Sequence, residues 1–205
     1  MPEKSAKRLP GRPKQADMNI SIHQAIISTA SALFKEYGYE TVSLQQIGQR
    51  CGVSKQTIYY HFASKPELFK VAITTMLQNI LAVTSQMLDE ADHLEHGLVR
   101  LAEVILANPH AEIETMMREA EPFLEKEQIL AIREAEQHIH ELLAVHFRLA
   151  MDQQFLREED PMFLAETFST LMLMGNRENV LNKYESPLIL GQKLITLFLR
   201  GAKVT

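Results

Sequence analysis

The sequence predicts an all-α fold of about nine helices, and three observations carry that prediction. Apolar residues recur at three- and four-residue steps through nearly every segment. No stretch alternates apolar and polar residues as a half-buried strand would. Prolines also fall where helices would open, at Asn108-Pro109, Glu121-Pro122, Asp160-Pro161 and Ser186-Pro187. Of the 205 residues 46% are hydrophobic and 23% charged, which is enough apolar material for one sizeable core or two small ones. The longest strongly apolar stretch, Leu188 to Leu199, is interrupted by Gly191, Gln192 and Lys193. It falls short of the roughly 20 apolar residues that cross a bilayer, so no membrane span is expected. The basic N-terminus lacks the apolar segment of a secretory leader, and a lone cysteine, Cys51, suits a reducing compartment. A soluble, cytoplasmic protein is expected.

Taken in order, residues 1–18 hold five Lys or Arg among three prolines and a glycine, with no apolar period; they read as a flexible basic arm. From residue 19 a helix shows Ile22, Ile26, Ala30, Leu33 and Phe34 on one side, and Gly38 closes it. Ser43 is placed to cap a short second helix with Leu44, Ile47 and Cys51 on one face. Gly52 supplies a left-handed turn and Val53 fills the angle behind it. Ser54 then caps a third helix that sends Ile58 and Phe62 inward. Ser64-Lys65-Pro66-Glu67 reads as a capping box opening a long fourth helix, with Leu68, Val71, Ala72, Thr75, Met76, Ile80, Val83 and Met87 as its apolar side. Further helices are expected near 92–107, 110–120, 122–151, 161–183 and 187–202.

Charge divides with this organisation. Residues 1–65 carry nine basic against four acidic side chains, whereas residues 66–205 carry twelve against twenty-two. A basic first third on an acidic body points to a polyanion meeting that third alone. The helix-turn-helix at 43–65 sharpens this, because its second helix leaves Lys55, Gln56, Thr57, Tyr60 and His61 facing outward. Lys can donate to guanine O6 and N7, Gln can pair with adenine, and a Thr methyl can meet that of thymine. On residue chemistry alone, a plain helical hairpin with a solvated polar face stays open beside a DNA reader.

The stretch from Ile26 to Phe69 resembles the DNA-binding domain of TetR-family transcriptional regulators. The shared features are Leu33-Phe34 of the first helix, Gly38-Tyr39, Thr41-Val42-Ser43, Ile47, Gly52-Val53-Ser54-Lys55, Thr57-Ile58-Tyr59, His61-Phe62 and Ser64-Lys65, in order and with the family's spacing. The resemblance implies base-edge roles for Lys55, Gln56, Thr57 and Tyr60, with Gln45 as a further candidate. It implies phosphate contacts for Ser43, Tyr59, His61 and Lys65. It divides the chain into an arm (1–18), a DNA-binding domain (19–79) and an effector-binding and dimerisation domain (80–205). Gln56 departs from the small residue common there, and Gly48 and Cys51 stand where alanine is usual. Pro10-Gly11-Arg12-Pro13-Lys14 is similar to the core of AT-hook minor-groove binders, which makes Arg12 a minor-groove candidate; non-specific attraction by a basic arm is the other reading.

The resemblance also implies that the body dimerises and takes a small effector. Phe168, Leu171, Met172 and Gly175 of the eighth helix and Leu190, Leu194 and Phe198 of the ninth are the expected dimer interface. Met116, Met117, Phe123, Phe147, Phe168 and Met172 are candidates for an apolar pocket, because Met adapts its shape readily. His138 and His140 lie two apart and so face different sides of a helix, which leaves no metal site in view, and no cofactor is expected. No nucleophile–base pair or phosphate loop suggests catalysis. The expected function is therefore a homodimeric repressor on a palindromic DNA operator, released by a small hydrophobic effector. A TetR-like binder acting without an inducer, as a global or activating regulator, and a helical small-molecule-binding protein that no longer reads DNA remain alternatives.

Overall fold

A computed structural model of the chain describes residues 15–107, 113–176, 180 and 182–203. Nine α-helices lie among the described residues: α1 (Gln15–Tyr37), α2 (Leu44–Cys51), α3 (Lys55–His61), α4 (Lys65–Asp89), α5 (Leu94–Ala107), α6 (Ile113–Ala120), α7 (Lys126–Asp152), α8 (Pro161–Met172) and α9 (Pro187–Ala202). The all-α prediction holds. Among the described residues the only β pairing is an isolated bridge between Leu156 and Lys203, which ties the end of α9 to the α7–α8 connection.

The caps explain most boundaries. Ser43 accepts from the Gln46 N–H at 3.2 Å while the Gln46 side chain takes the Ser43 N–H at 2.7 Å, a complete capping box. Ser54, Asp160 and Ser186 cap α3, α8 and α9 as expected. The box expected at Ser64 is only half formed. Ser64 accepts from the Glu67 N–H, but the Glu67 carboxylate turns away to Lys70 at 2.7 Å and Gln128 at 3.1 Å. A nearby cation and a donor from α7 outcompete the Ser64 backbone.

Three boundaries and one buried face differ from expectation. The first helix opens at Gln15, inside the segment read as arm, because Gln-Ala-Asp-Met has adequate helix propensity. Pro122 sits in a 3-10 turn, Glu121–Phe123, and α7 opens only at Lys126, behind a capping box of Glu125 and Gln128. The helix expected to reach 183 leaves α geometry after Met172 and passes into a 3-10 turn, Leu173–Asn176, where Gly175 and Asn176 disfavour continuation. On α4 the buried residues are Leu68, Phe69, Ala72, Ile73, Leu77, Thr84 and Leu88, a face rotated from the predicted one. That rotation follows from its surroundings, since α1, α5 and α7 all pack on α4. Among the described helices, α4 alone is long and apolar enough to cross a membrane, a property the sequence reading overlooked. Here its apolar face is spent on protein contacts.

Two cores result. One joins α1–α4 through Ile26, Phe34, Tyr39, Ile47, Ile58 and Phe69, and extends to Met116, Met117 and Ala120 of α6 and Ile132 of α7. The other fills the body between α5, α7, α8 and α9 around Leu98, Phe147, Phe168, Leu194 and Phe198. A domain boundary at residue 79 therefore crosses no empty seam, because α6 belongs to the first core.

Candidate nucleic-acid interface and effector cavity

The turn of the helix-turn-helix is built by two glycines. Gly52 adopts φ +73°, the left-handed geometry that L side chains resist. Gly48 is needed for another reason: a Cβ there would lie 2.7 Å from the Val53 carbonyl oxygen, and the Val53 N–H donates to the Gly48 carbonyl at 2.9 Å. The α2 backbone thus meets the turn directly, so the expected helix-propensity cost is offset by close approach. Cys51 is half-buried, and burial raises its thiol's pKa. Its Sγ donates to the Ile47 carbonyl at 2.9 Å, as a small structural residue would.

Ile58 and Phe62 are buried, which fixes the rotation of α3 and leaves its other face to solvent. Lys55 and Gln56 are exposed, and Tyr60 is the most exposed large side chain of this region at 77%. Thr57 is half-buried, with its hydroxyl engaged by Ser54 at 2.9 Å. Tyr59 is half exposed with the Lys55 ammonium 5.7 Å from its ring centroid, so the side of its ring is free rather than packed in the core. Gln45 is exposed on α2.

The remaining phosphate candidates are more constrained. The Ser43 hydroxyl is tied to the Gln46 side chain at 2.8 Å. Lys65 lies over the Tyr39 ring at 4.2 Å, and burial lowers its pKa against the opposing pull of Glu40. His61 is half-buried, edge-on to His23 at 5.6 Å; burial first, and then the charge of His23, lowers its pKa. His23, stacked on Phe62 at 4.8 Å, is a neighbour of the reading helix that the sequence reading missed, because a polar residue on α1 carries no periodic signal. Arg12 lies outside the described residues.

In the body, a cavity of about 180 Å³ opens between α4, α5, α7 and α8. Apolar groups of Met76, Leu77, Ile80, Leu101, Ile139 and Leu143 line it, with Thr84, Glu136, His140 and Ser169 as polar residues. Of the six pocket candidates only Phe168 and Met172 border it. Met116 and Met117 are buried in the reader's core instead, and Phe147 in the body's core. Phe123 is 54% exposed and packs on Tyr39. The half-buried stripe of α4 would have pointed to Met76 and Ile80, since such a stripe on a central helix lines whatever space its neighbours leave.

The expected dimer residues need correction too. Phe168, Met172, Leu190, Leu194 and Phe198 are all buried inside the protomer, so their apolar surface is already used. Leu171 is half-buried, and the burial of Gly175 lies outside the described residues. The face that α8 and α9 leave outward carries Phe163 and Leu197, at 55% and 63% exposure.

Among the described residues, two polar contacts join reader and body. The Tyr39 N–H donates to the Glu119 carboxylate of α6 at 2.9 Å, and the Gln128 amide of α7 donates to Glu67 of α4. Gly38, at φ +78°, makes room for the first, since a Cβ there would collide with Glu119.

Comparisons with known proteins agree with this geometry. The family model for bacterial regulatory proteins of the tetR family matches residues 26–72. An HTH-type transcriptional regulator of Bacillus subtilis, YezE, is 33% identical over 88 residues, which is 43% of each chain. The chain thus spans less than half the length of this curated relative. Over nearly the whole chain the similarity is one of fold. A transcriptional regulator from Saccharomonospora viridis in complex with choline superposes with a TM-score of 0.72 at 22% identity, covering 91% of this chain and 100% of the other. The regulator FadR from Bacillus subtilis in complex with stearoyl-CoA gives 0.69 at 14% identity, covering 87% and 98%. Residues 26–72 thus match the tetR family in sequence, and over nearly the whole chain the fold is that of solved TetR-type regulators.

Proposed function

We propose that the protein is a homodimeric repressor that reads a palindromic operator through α3 and leaves it when a small hydrophobic effector enters the body. The observation that carries this reading is the α3 surface. Lys55, Gln56 and Tyr60 project from a seven-residue helix whose rotation Ile58 and Phe62 lock from behind. In this reading Lys55, Gln56, Thr57, Tyr60 and Gln45 meet base edges, while Ser43, Tyr59, His61 and Lys65 position the helix on phosphates. Gln56 sets a base preference different from that of relatives with a small residue there. Two copies joined through the outward face of α8 and α9, at Phe163, Leu171 and Leu197, place two α3 helices on half-sites about one DNA turn or a multiple of it apart.

Release requires an effector that binds the non-reading state more tightly than the reading one. The cavity borders α4, whose first turns pack in the reader's core, and that core also includes α6, so a shift of either helix moves α3. Choline and stearoyl-CoA are the ligands of two proteins of this shape. Their difference in size and charge argues for testing compounds by chemistry rather than by analogy. The test is enrichment of bound duplexes from a random pool, followed by titration of hydrophobic compounds into the complex. A palindromic consensus that is released by a compound supports the proposal; bound duplexes without a consensus contradict it.

A further inference from the structure

The body's cavity shares a wall with a second space. An open groove of about 500 Å³ runs between α1, α4 and α5, and Met76, Ile80, Thr84, Leu101 and Ile105 border both it and the inner cavity. At about 180 Å³ the inner cavity alone is smaller than the roughly 300–1,000 Å³ of ordinary small-molecule sites. Joined across that wall, the two spaces reach that range.

Two groups along this path call for a ligand, and a third disfavours an anion at the inner end. Thr84 is the one buried polar side chain among the described residues, at 2% exposure. Its hydroxyl has no hydrogen-bond partner among the described residues, whereas Thr74 and Thr170 each donate to the carbonyl four residues earlier, at 2.9 and 2.8 Å. A buried hydroxyl without a partner is unfavourable unless something else satisfies it. Lys35, at the border of the outer groove, has no ion-pair partner among the described residues. At the inner end, Glu136 is held by Arg133 at 3.0 Å and Arg133 is forked onto Glu114. That end is unfavourable for an anion. From Ala72 to Thr84 the groove follows α4 for about 18 Å.

Resting on the effector-regulated reading above, we infer that the two spaces form one site for a long-chain aliphatic acid with a hydroxyl or keto oxygen part-way along its chain. The carboxylate pairs with Lys35, the chain follows α4, the mid-chain oxygen meets Thr84, and the tail fills the inner cavity. Such a ligand lies against α1, so it touches the reader itself and does not act through α6 alone.

Calorimetric titration of the full chain with octadecanoic acid and with its mid-chain hydroxy derivative tests this. The hydroxy acid is expected to bind about fivefold tighter, the worth of one added hydrogen bond. Thr84→Val should abolish that preference without lowering the melting temperature, and Ile80→Phe, at the shared wall, should weaken both long acids far more than octanoic acid. Lys35→Gln should weaken the acids but not their methyl esters. Equal binding of the two long acids, or a preference that survives Thr84→Val, would overturn the inference even if Ile80→Phe fails to fold. Measuring duplex release in the same samples separates the two readings. Binding without release leaves the site standing and removes its regulatory role, whereas retained duplex with neither acid bound removes the site and leaves the reader.

Discussion

The reader's core and the body's core use similar residues but close in different ways. In the reader, Phe34, Tyr39 and Phe69 stack within 5.0 to 5.8 Å of one another, and the turn is so tight that Gly48 leaves no room for a methyl group. Yet that core is completed by four side chains from α6 and α7. The body's core is incompletely filled, leaving space beside α4 and a buried Thr84 hydroxyl without a partner among the described residues. The reader is packed without slack, and the slack lies beside α4, where the proposed effector would enter. The two cores meet along α4 and α7, where Ile139 packs against both.

The largest expected effect follows from the borrowed side chains. A fragment ending at residue 91 loses Met116, Met117, Ala120 and Ile132 from the reader's core. Burial of a large apolar side chain is worth about 1.5–3 kcal/mol, so the combined loss approaches the whole net stability of a small domain. Circular dichroism on heating should show no cooperative transition for the fragment; an intact transition would mean that the reader is self-sufficient.

Single substitutions sharpen the contrast. Gly48→Ala forces a methyl group against the Val53 carbonyl and should destabilise the chain by about 1–3 kcal/mol, read from denaturant unfolding. Glu119→Ala leaves the part-buried Tyr39 N–H without its partner, at a cost of about 1–3 kcal/mol, and should loosen the reader's coupling to α6. The body should respond in the opposite sense: Thr84→Val replaces an unpaired buried hydroxyl with a methyl and should be neutral or stabilising by about 1 kcal/mol. Destabilisation of similar size at all three positions would erase the difference between the regions.

Smallest is a pH effect at the edge of the reader. Because its folded pKa lies below the usual 6.5, His61 contributes stability in full above about pH 6.5 and loses it as the pH falls through the lower folded value. Phosphates favour the charged ring, so DNA affinity should strengthen as pH falls from 7.5 towards 6. In His61→Gln that dependence should flatten; an unchanged slope would assign the effect elsewhere.

How much of this was legible in the sequence varies by region for the same physical reason. Short local signals specify the reader: a capping serine, a turn glycine, and two inward residues four apart on α3. The faces of α3 followed directly from Ile58 and Phe62. In the body each helix has several neighbours, so apolar periodicity shows that a helix is buried without showing what it is buried against. That is why Met116 and Met117 read as pocket and proved to be the reader's core, and why Phe168 and Leu194 read as interface and proved to be interior. Glu67 and Glu119 were illegible for a related reason, since their partners lie 61 and 80 residues away in the chain.

The central claim is that the exposed face of α3 reads DNA sequence. Fluorescence anisotropy against a selected duplex and a scrambled one, over a range of salt concentrations, tests it most directly. The wild-type chain should prefer the selected duplex by about a thousandfold or more, and Lys55→Ala with Tyr60→Ala should reduce that preference to near unity while leaving the fold intact. An unchanged preference in the double variant would contradict the assignment of α3 as the reader.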